Sequence, residues 1–539
     1  MNNHTSLIGG NYFKYTPEND PNTLYVDLTG IDGIDHNGSA GDPFRTIPYA
    51  VTRAQPYNRI FVRAGIHVLD QQIDLSLEGL SLEGEGIGKT IITSNVFADV
   101  NAYMVYIFRA DPLEGYNGYN KIEHITFDGA AEQVYNCIHI RRVGHVKIRY
   151  CEFIDIGRRA VNNWGARSAG GPLNILGDGF EVAYCRFYNA AGASNPADPW
   201  SSHGAITLGA LRNCEIHHNH IESIPKAWLR GELIKSYDPG HLENLHIHHN
   251  TLLRNCSAAD LVFAVELFDN YGNFHFHDNR VIGTLDLPRC HQTGPFSGSG
   301  AYQYGALIHD NQWIQPEYTD HDHPAISLED GACNVEIFRN FVYHLPSGIH
   351  IAAGGAAYQY NDINIYYNIF MELGTSTGIV WQRGIHFSTD AHAHFFQNIK
   401  ICNNIFTATG AGTDMGINMM DEGDARNFYV KNNIFVNYTT AYINADGTAG
   451  PTMDELELNN NCIFNCGGGN VPRFVGGYAP TNYTNLNDLV GVDPLFISAD
   501  NYHLQALSPC IVAGEWVKLY EDYEKNPTNG IPNIGVYER

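Results

Sequence analysis

The sequence predicts an all-β chain wound as a parallel β-helix, and three observations carry that prediction. First, an asparagine returns at a nearly fixed interval behind short alternating segments: IHHN ending at Asn219, IHHN at Asn250, FHDN at Asn279, IHDN at Asn311, IFRN at Asn340, IYYN at Asn368, ICNN at Asn404, VKNN at Asn433 and LNNN at Asn461. The steps between them are 31, 29, 32, 29, 28, 36, 29 and 28 residues. Such a period, carried on strand-like segments, marks a solenoid in which each coil is one repeat. Second, another strand follows each asparagine by about 16 residues, with period-2 alternation. It is visible as AITLGA (205–210), LIKSYD (233–238), AVELFD (264–269), AISLED (325–330), GIHIAAG (348–354), GIHFSTD (384–390) and GINMMDEG (416–423). Third, 54 Gly and a charged fraction of 17% suit many tight turns, while 32 Tyr and 26 Phe suit sheet surfaces.

Taken from the N-terminus, residues 1–100 read as an entry segment and cap. Within them TIPYAVTRAQ (46–55) follows the turn-rich GIDGIDHNGSAGDPF and reads as a short amphipathic helix, which covers the otherwise unpaired edge of the first coil. Residues 101–466 form the coils that carry a cleft, and from about Gly467 the repeat fades into a C-terminal cap, 467–539. A chain of 539 residues exceeds the usual single-core limit, but a solenoid escapes it because each coil buries side chains only against its neighbours. The asparagines are expected to stack as an internal ladder, each bonding the backbone of the next coil. Cys151 and Cys185 fall at ladder positions and read as buried, stacked thiols. Eleven cysteines, an odd number, are too few for a disulfide scaffold.

No window of about 18 apolar residues exists, so no membrane span is expected. The start, MNNHTSLIGG, has neither a basic nor an apolar leader region. The reading adopted is a secreted or extracellular protein whose signal has been removed, with a cytoplasmic one as the alternative. The net charge of -26 argues against nucleic acid. It also repels a strongly anionic polysaccharide unless cations or a local basic patch intervene, so a neutral or weakly charged carbohydrate fits better. The oligomeric state stays open.

The stretch YVDLTGIDGIDHNGSAGDPFRTIPYAVTRAQ, followed by RIFVRAGIHV, resembles the entry segment of pectate-lyase-like right-handed parallel β-helix proteins. DPLFISADNYHLQALSPCIVAGE with NIGVYER resembles their end segment. With the repeats, the resemblance covers essentially the whole chain. It implies the right-handed fold and carbohydrate chemistry without fixing the reaction, because that superfamily holds polysaccharide lyases, glycoside hydrolases, epimerases and phage depolymerases. No catalytic residue is carried over from it.

The outward row of the second strand reads Thr207, Lys235, Glu266, Gln303, Ser327, His350, His386 and Asn418. At the strand end stand Asp238, Asp269 and Asp330, usable only where the chain has already bent outward, and a buried unpaired carboxylate would be costly. The expected catalytic cluster is Glu266, Asp269, Asp238, Glu329 and Asp330. Glycoside hydrolysis needs two carboxyl groups about 5 Å apart for retention or about 6.5–9.5 Å for inversion, and neighbouring coils offer such spacings. The plain alternative is that these acids cap strands, bond turns or hold a structural cation. Lys235 stands beside Glu266 as a surface pair or as the base of a lyase, in which Ca²⁺ held by Asp and Glu would neutralise a uronate. Apart from that possible Ca²⁺, no cofactor is expected.

Apparent insertions at 158–172, 188–203, 286–300 and 313–324 are read as walls of a trench for an extended ligand. Trp164, Trp200, Trp228, Tyr237 and Trp313 are candidate sugar platforms, although a tryptophan is as readily core. His350 and His386 share the row and are candidate substrate contacts. His217, His218, His248 and His249 read as structural, and the DHDH run, Asp320 to His323, as a solvated loop or a weak metal site. The function favoured is a glycoside hydrolase; a Ca²⁺-assisted polysaccharide lyase and a non-catalytic carbohydrate-binding or fibre protein remain as alternatives.

Overall fold

The computed structural model describes residues 21–97, 102–109, 118–165, 177–190, 204–223, 232–237, 241–255, 263–270, 272–290, 305–314, 324–351, 358–373, 382–388, 394–409, 414–420, 424–446, 453–475, 480–528 and 530–538. They form a right-handed parallel β-helix with three faces. The first face runs from Ile73–Asp74 to Arg473–Val475, and the second from Thr23–Val26 to Tyr483–Leu486. Gly204–His217 and Pro324–Phe338 pass unbroken from the first face into the second, joining both into one 29-stranded sheet. The third face is a 15-stranded sheet from Gly65–Leu69 to Leu489–Val490.

Alternation decides what lies inside. On the first face Ile206, Ile234, Val265, Leu285, Ile326, Ile349, Ile385, Ile417 and Ile443 occupy one register column and are fully buried. Branched side chains fit the pleated surface, and each burial contributes about 1.5–3 kcal/mol. On the third face Phe127, Phe153 and Phe187 stack, as do Phe370, Phe406 and Phe435. Trp313 belongs to this interior: it is fully buried, pairs in register with Val281 and Val342, and stacks on Phe276 at 6.0 Å. Its expected role as a sugar platform is therefore corrected; period-2 alternation in Gln312–Ile314 turns the indole inward.

The asparagine ladder closes the corner between the second and third faces. The residue before each asparagine, from His218 to Asn460, has φ between 52° and 58°. That turn costs roughly 1–2 kcal/mol for a non-glycine residue and strips two backbone groups of partners. The ladder supplies them: Asn311 Nδ2 donates to Phe276 O (2.8 Å) and Asn340 Oδ1 (3.0 Å), while its Oδ1 accepts from the Asn279 backbone N–H (3.0 Å). Cys151 and Cys185 begin the series as buried thiols, the Cys185 N–H donating to Asn219 Oδ1, and Asp488 ends it.

The helix Ile47–Arg53 forms as expected, capped by Thr46, whose Oγ1 accepts from the Tyr49 N–H, with Ile47 and Ala50 buried. The coils extend beyond 101–466 on both sides, since strands pair from Thr23 and continue past Gly467 to Val490. The tail then turns back along the corner. Asn403 Nδ2 donates to Asn533 O and Gly535 O, Asn432 Nδ2 to Glu515 O, and Asn460 Nδ2 to Ala513 O. Tyr502, Cys510, Ile534 and Val536 bury Tyr367, Ile369, Ile405, Ile434 and Cys462 in a second apolar cluster. Among the described residues no helix is long and apolar enough to cross a membrane.

Candidate functional site

The outward row of the first face is fixed by register: Asn162, Thr207, Lys235, Glu266, Asp286, Ser327, His350, His386, Asn418, Asn444 and Arg473. Neighbours in such a row are about 4.8 Å apart. Gln303 lies outside the described residues, and Asp286 holds the place assigned to it. The stretch Thr284–Cys290 is a strand of the face, so the apparent insertion at 286–300 begins with five strand residues. Arg159–Gly165, likewise, is a strand inside the apparent insertion at 158–172.

Lys235 is the centre of charge. Its ammonium is paired with Glu266 and with Glu232 Oε1 at 3.0 Å. Glu232 joins from three residues upstream because Leu233 and Ile234 are both in the core where the chain enters the face. Burial pushes the Glu232 carboxyl up to about 7, Lys235 partly offsetting and Glu266 reinforcing the shift. Burial alone would lower Lys235, but the two glutamates outweigh it and hold its pKa above the ordinary lysine value. Asp286, 1% exposed, is raised well above the carboxylate range by burial and then by the charges of Glu329 and Glu266. Ser327 Oγ donates to Glu329 Oε1 at 3.0 Å. The row thus sets a carboxyl raised by burial in register with an ion-paired carboxylate, and sequence reading missed Glu232 and Asp286. Lys235 and His350 are half-buried members of the row, as is Glu329 two residues beyond Ser327, and Arg473 at its end is exposed.

The strand ends bend as the acids there require, with φ of 55° at Asp269, 60° at Arg289 and 54° at Asp330. The bend brings these three together around the guanidinium: Arg289 Nε reaches Asp269 Oδ1 at 2.7 Å, Nη2 reaches Oδ2 at 3.2 Å, and Nη1 lies 3.7 Å from Asp330 Oδ2. Asp269 and Asp330 are therefore committed to Arg289. Asp238, Trp200, Trp228 and the DHDH run lie outside the described residues.

On one side of the acids His350 and His386 stack at 4.8 Å, and Arg383 Nη1 lies 2.8 Å from His386 Nε2. Burial, then the charges of His350 and Arg383, hold the His386 imidazole well below its usual pKa, so it is neutral. On the other side Tyr237 donates its hydroxyl to Asn162 Oδ1 at 3.0 Å and meets Trp164 edge-on at 5.4 Å. His139 stacks on Tyr103 at 4.2 Å and contacts Asn162 Nδ2 at 2.9 Å; burial lowers it to about 3. Arg159 lies over Tyr237 and Arg141 over Trp164, which makes this aromatic stretch locally basic in an acidic protein. Ca²⁺ needs six to eight oxygen ligands. Here an ammonium or guanidinium already stands between the acids, and no three of their oxygens converge on one point among the described residues.

Residues 333–527 match a family described as disaggregatase related. No curated protein matches the chain. Among solved structures, the chain is similar to the tailspike protein of E. coli bacteriophage HK620 in complex with pentasaccharide, at 13% identity over 86% of this chain and 80% of that one, with a TM-score of 0.46. It is similar to the Agl-KA catalytic domain at 13% identity over 77% of this chain, with a TM-score of 0.43, and spans 66% of that domain's length, just under two thirds. A mannuronic acid specific polysaccharide family 6 lyase from human gut microbiota shows 14% identity over 72% of this chain and 83% of that one, with a TM-score of 0.42.

Proposed function

We propose that this protein is a glycoside hydrolase that cleaves an extended carbohydrate, with Glu266 and Asp286 as the working carboxyl pair. The observation that carries the reading is their register on neighbouring coils, one buried with its pKa raised, the other ion-paired to Lys235. A carboxyl whose pKa burial raises suits the proton donor that a leaving oxygen needs, so Asp286 takes that role. Glu266 takes the role of nucleophile or base. Spacing by one coil is close to the 5–5.5 Å of retaining enzymes and short of what an intervening water needs, which favours retention. Lys235 and Glu232 hold Glu266 in place, and Tyr237, Trp164 and His350 offer flat faces to the sugar rings on either side. Elimination would ask Lys235 to act as a neutral amine, and a pKa raised by two glutamates opposes that. A secreted location accords with a polymeric substrate.

The test is a panel of neutral and acidic glycans, following new reducing ends together with ultraviolet absorbance from unsaturated ends. Reducing ends without absorbance are expected. Asp286→Asn and Glu266→Gln should each lower kcat by about 100-fold or more. Full activity in both variants, or absorbance rising with the reducing ends, would overturn the reading.

A further inference from the structure

The corner between the second and third faces carries a histidine array that the proposed hydrolysis does not use. His217, His248, His277 and His309 are register partners, and their rings stack at 4.9 Å with interplanar angles of 1–3°. The next residue of each coil, in the left-handed turn, folds back beside the first: His217 Nδ1 lies 2.9 Å from His218 Nδ1 and His248 Nδ1 2.9 Å from His249 Nδ1. In the following coils the second residue is an acid, with His277 Nδ1 2.8 Å from Asp278 Oδ2 and His309 Nδ1 2.8 Å from Asp310 Oδ2. Four successive coils thus present a pair of metal-ligating atoms each.

Cations already occupy both ends of this array. Glu181, which lies 3.4 Å from His217, takes Arg149 and Lys147, and Asp310 takes a bidentate Arg339 (2.9 and 2.9 Å) with Lys525 at 3.8 Å. The middle differs. Asp278 is ion-paired with no lysine or arginine among the described residues, and His249 Nε2 reaches across from the preceding coil to 3.9 Å from Asp278 Oδ2. One nitrogen each from His249 and His277 and one oxygen from Asp278 lie within 4.8 Å of one another, and this is the one such trio among the described residues. Ligands of a tetrahedral zinc ion, bound at 2.0–2.2 Å, are separated by about 3.3 Å. The separations of 2.8 and 3.9 Å bracket that value, so small side-chain rotations close the site.

We propose that His249, His277 and Asp278 form a surface site for one divalent transition-metal ion of the zinc class, linking two adjacent coils. Two imidazoles and one carboxylate suit zinc better than calcium or magnesium, which take oxygen ligands. The side chains of His249 and Asp278 are 48% and 42% exposed, so the ion enters from solvent and the fourth position is left to water or an outside ligand.

Isothermal titration of the chelator-treated full chain with Zn²⁺ tests the site. One ion per chain is expected, with a rise in Tm on binding. Asp278→Asn should weaken binding at least tenfold and His249→Gln with Asp278→Asn should abolish it, the metal-free Tm of each variant showing that the fold is intact. Co²⁺ offers a second readout, as a tetrahedral visible absorption band present in the native chain and absent from the double variant. No saturable binding by the native chain, or binding and a cobalt band that survive in the double variant, overturns the proposal.

Discussion

Asp286 and Glu232 show how a single buried carboxyl changes what a row of residues can do. Lys235 is placed between two glutamates so that three ionisable groups share one buried position. Lys235→Met leaves Glu232 and Glu266 facing each other without a counter-charge, and a loss of about 3–5 kcal/mol is expected on chemical denaturation. Adding Glu232→Gln should restore part of it by removing the repulsion. Trp313→Ala empties a core position and should cost about 3–5 kcal/mol without changing KM, which separates its packing role from a substrate role. At this scale the sequence was partly legible. Lys235, Glu266, His350 and His386 follow from alternation alone. Asp286 sits in an equally clear alternation, T-L-D-L, but the glycine-rich run after it made the whole stretch look like a loop. Glu232 was hidden because two successive apolar residues face the core there, breaking the period of two.

The asparagine ladder is the element that holds coil to coil, and its strength lies in serving backbone groups that nothing else reaches. Asn311→Ala would leave the Asn279 N–H and Phe276 O without partners, each costing about 1–3 kcal/mol, so unfolding should begin at a markedly lower denaturant concentration than in the native chain. A change one residue earlier, Asp310→Asn, at a half-buried carboxylate, weakens the Arg339, Lys525 and His309 contacts but leaves no backbone group without a partner, and a smaller effect is expected. The ladder was fully legible, since a fixed period of one residue type is visible without any fold. The histidine rows beside it were visible as letters but not as geometry, because the left-handed turn that folds the second residue against the first leaves no mark in the sequence.

Over the whole molecule, buried titratable groups set opposing slopes. Eight histidines, His67, His139, His218, His246, His248, His275, His277 and His386, are held below their usual pKa, mainly by burial. Stability from them is present above about 6.5 and is lost as pH falls toward their folded values. Five carboxyls, Glu232, Asp286, Asp414, Asp488 and Glu538, are raised, again mainly by burial. Their contribution is full below the ordinary carboxyl pKa and is lost as pH rises, by about 6 for Asp488 and about 7 for Glu232, Asp414 and Glu538. Between those limits the larger number of histidines wins, so Tm should fall from pH 7 to pH 5. His139→Gln should flatten that acid limb, and Asp414→Asn should raise stability at pH 8. The overall winding was legible from the repeat, whereas the course of the tail was not: residues 491–538 carry no period, and their partners lie far away in sequence.

That tail has a consequence for how the protein is made. Coils near Asn340 and Asn368 leave the ribosome well before the tail, yet the apolar seam over Tyr367, Ile369 and Ile405 is covered from the tail, by Tyr502, Cys510, Ile534 and Val536 among others. At 5–20 residues per second the seam stays open for roughly 8–30 s of synthesis. A nascent chain that stalls or is cut short before residue 502 keeps it exposed, so residues 502–536 act as a late-arriving seal, and products truncated ahead of them carry a hydrophobic stripe by which a chaperone or protease can recognise them.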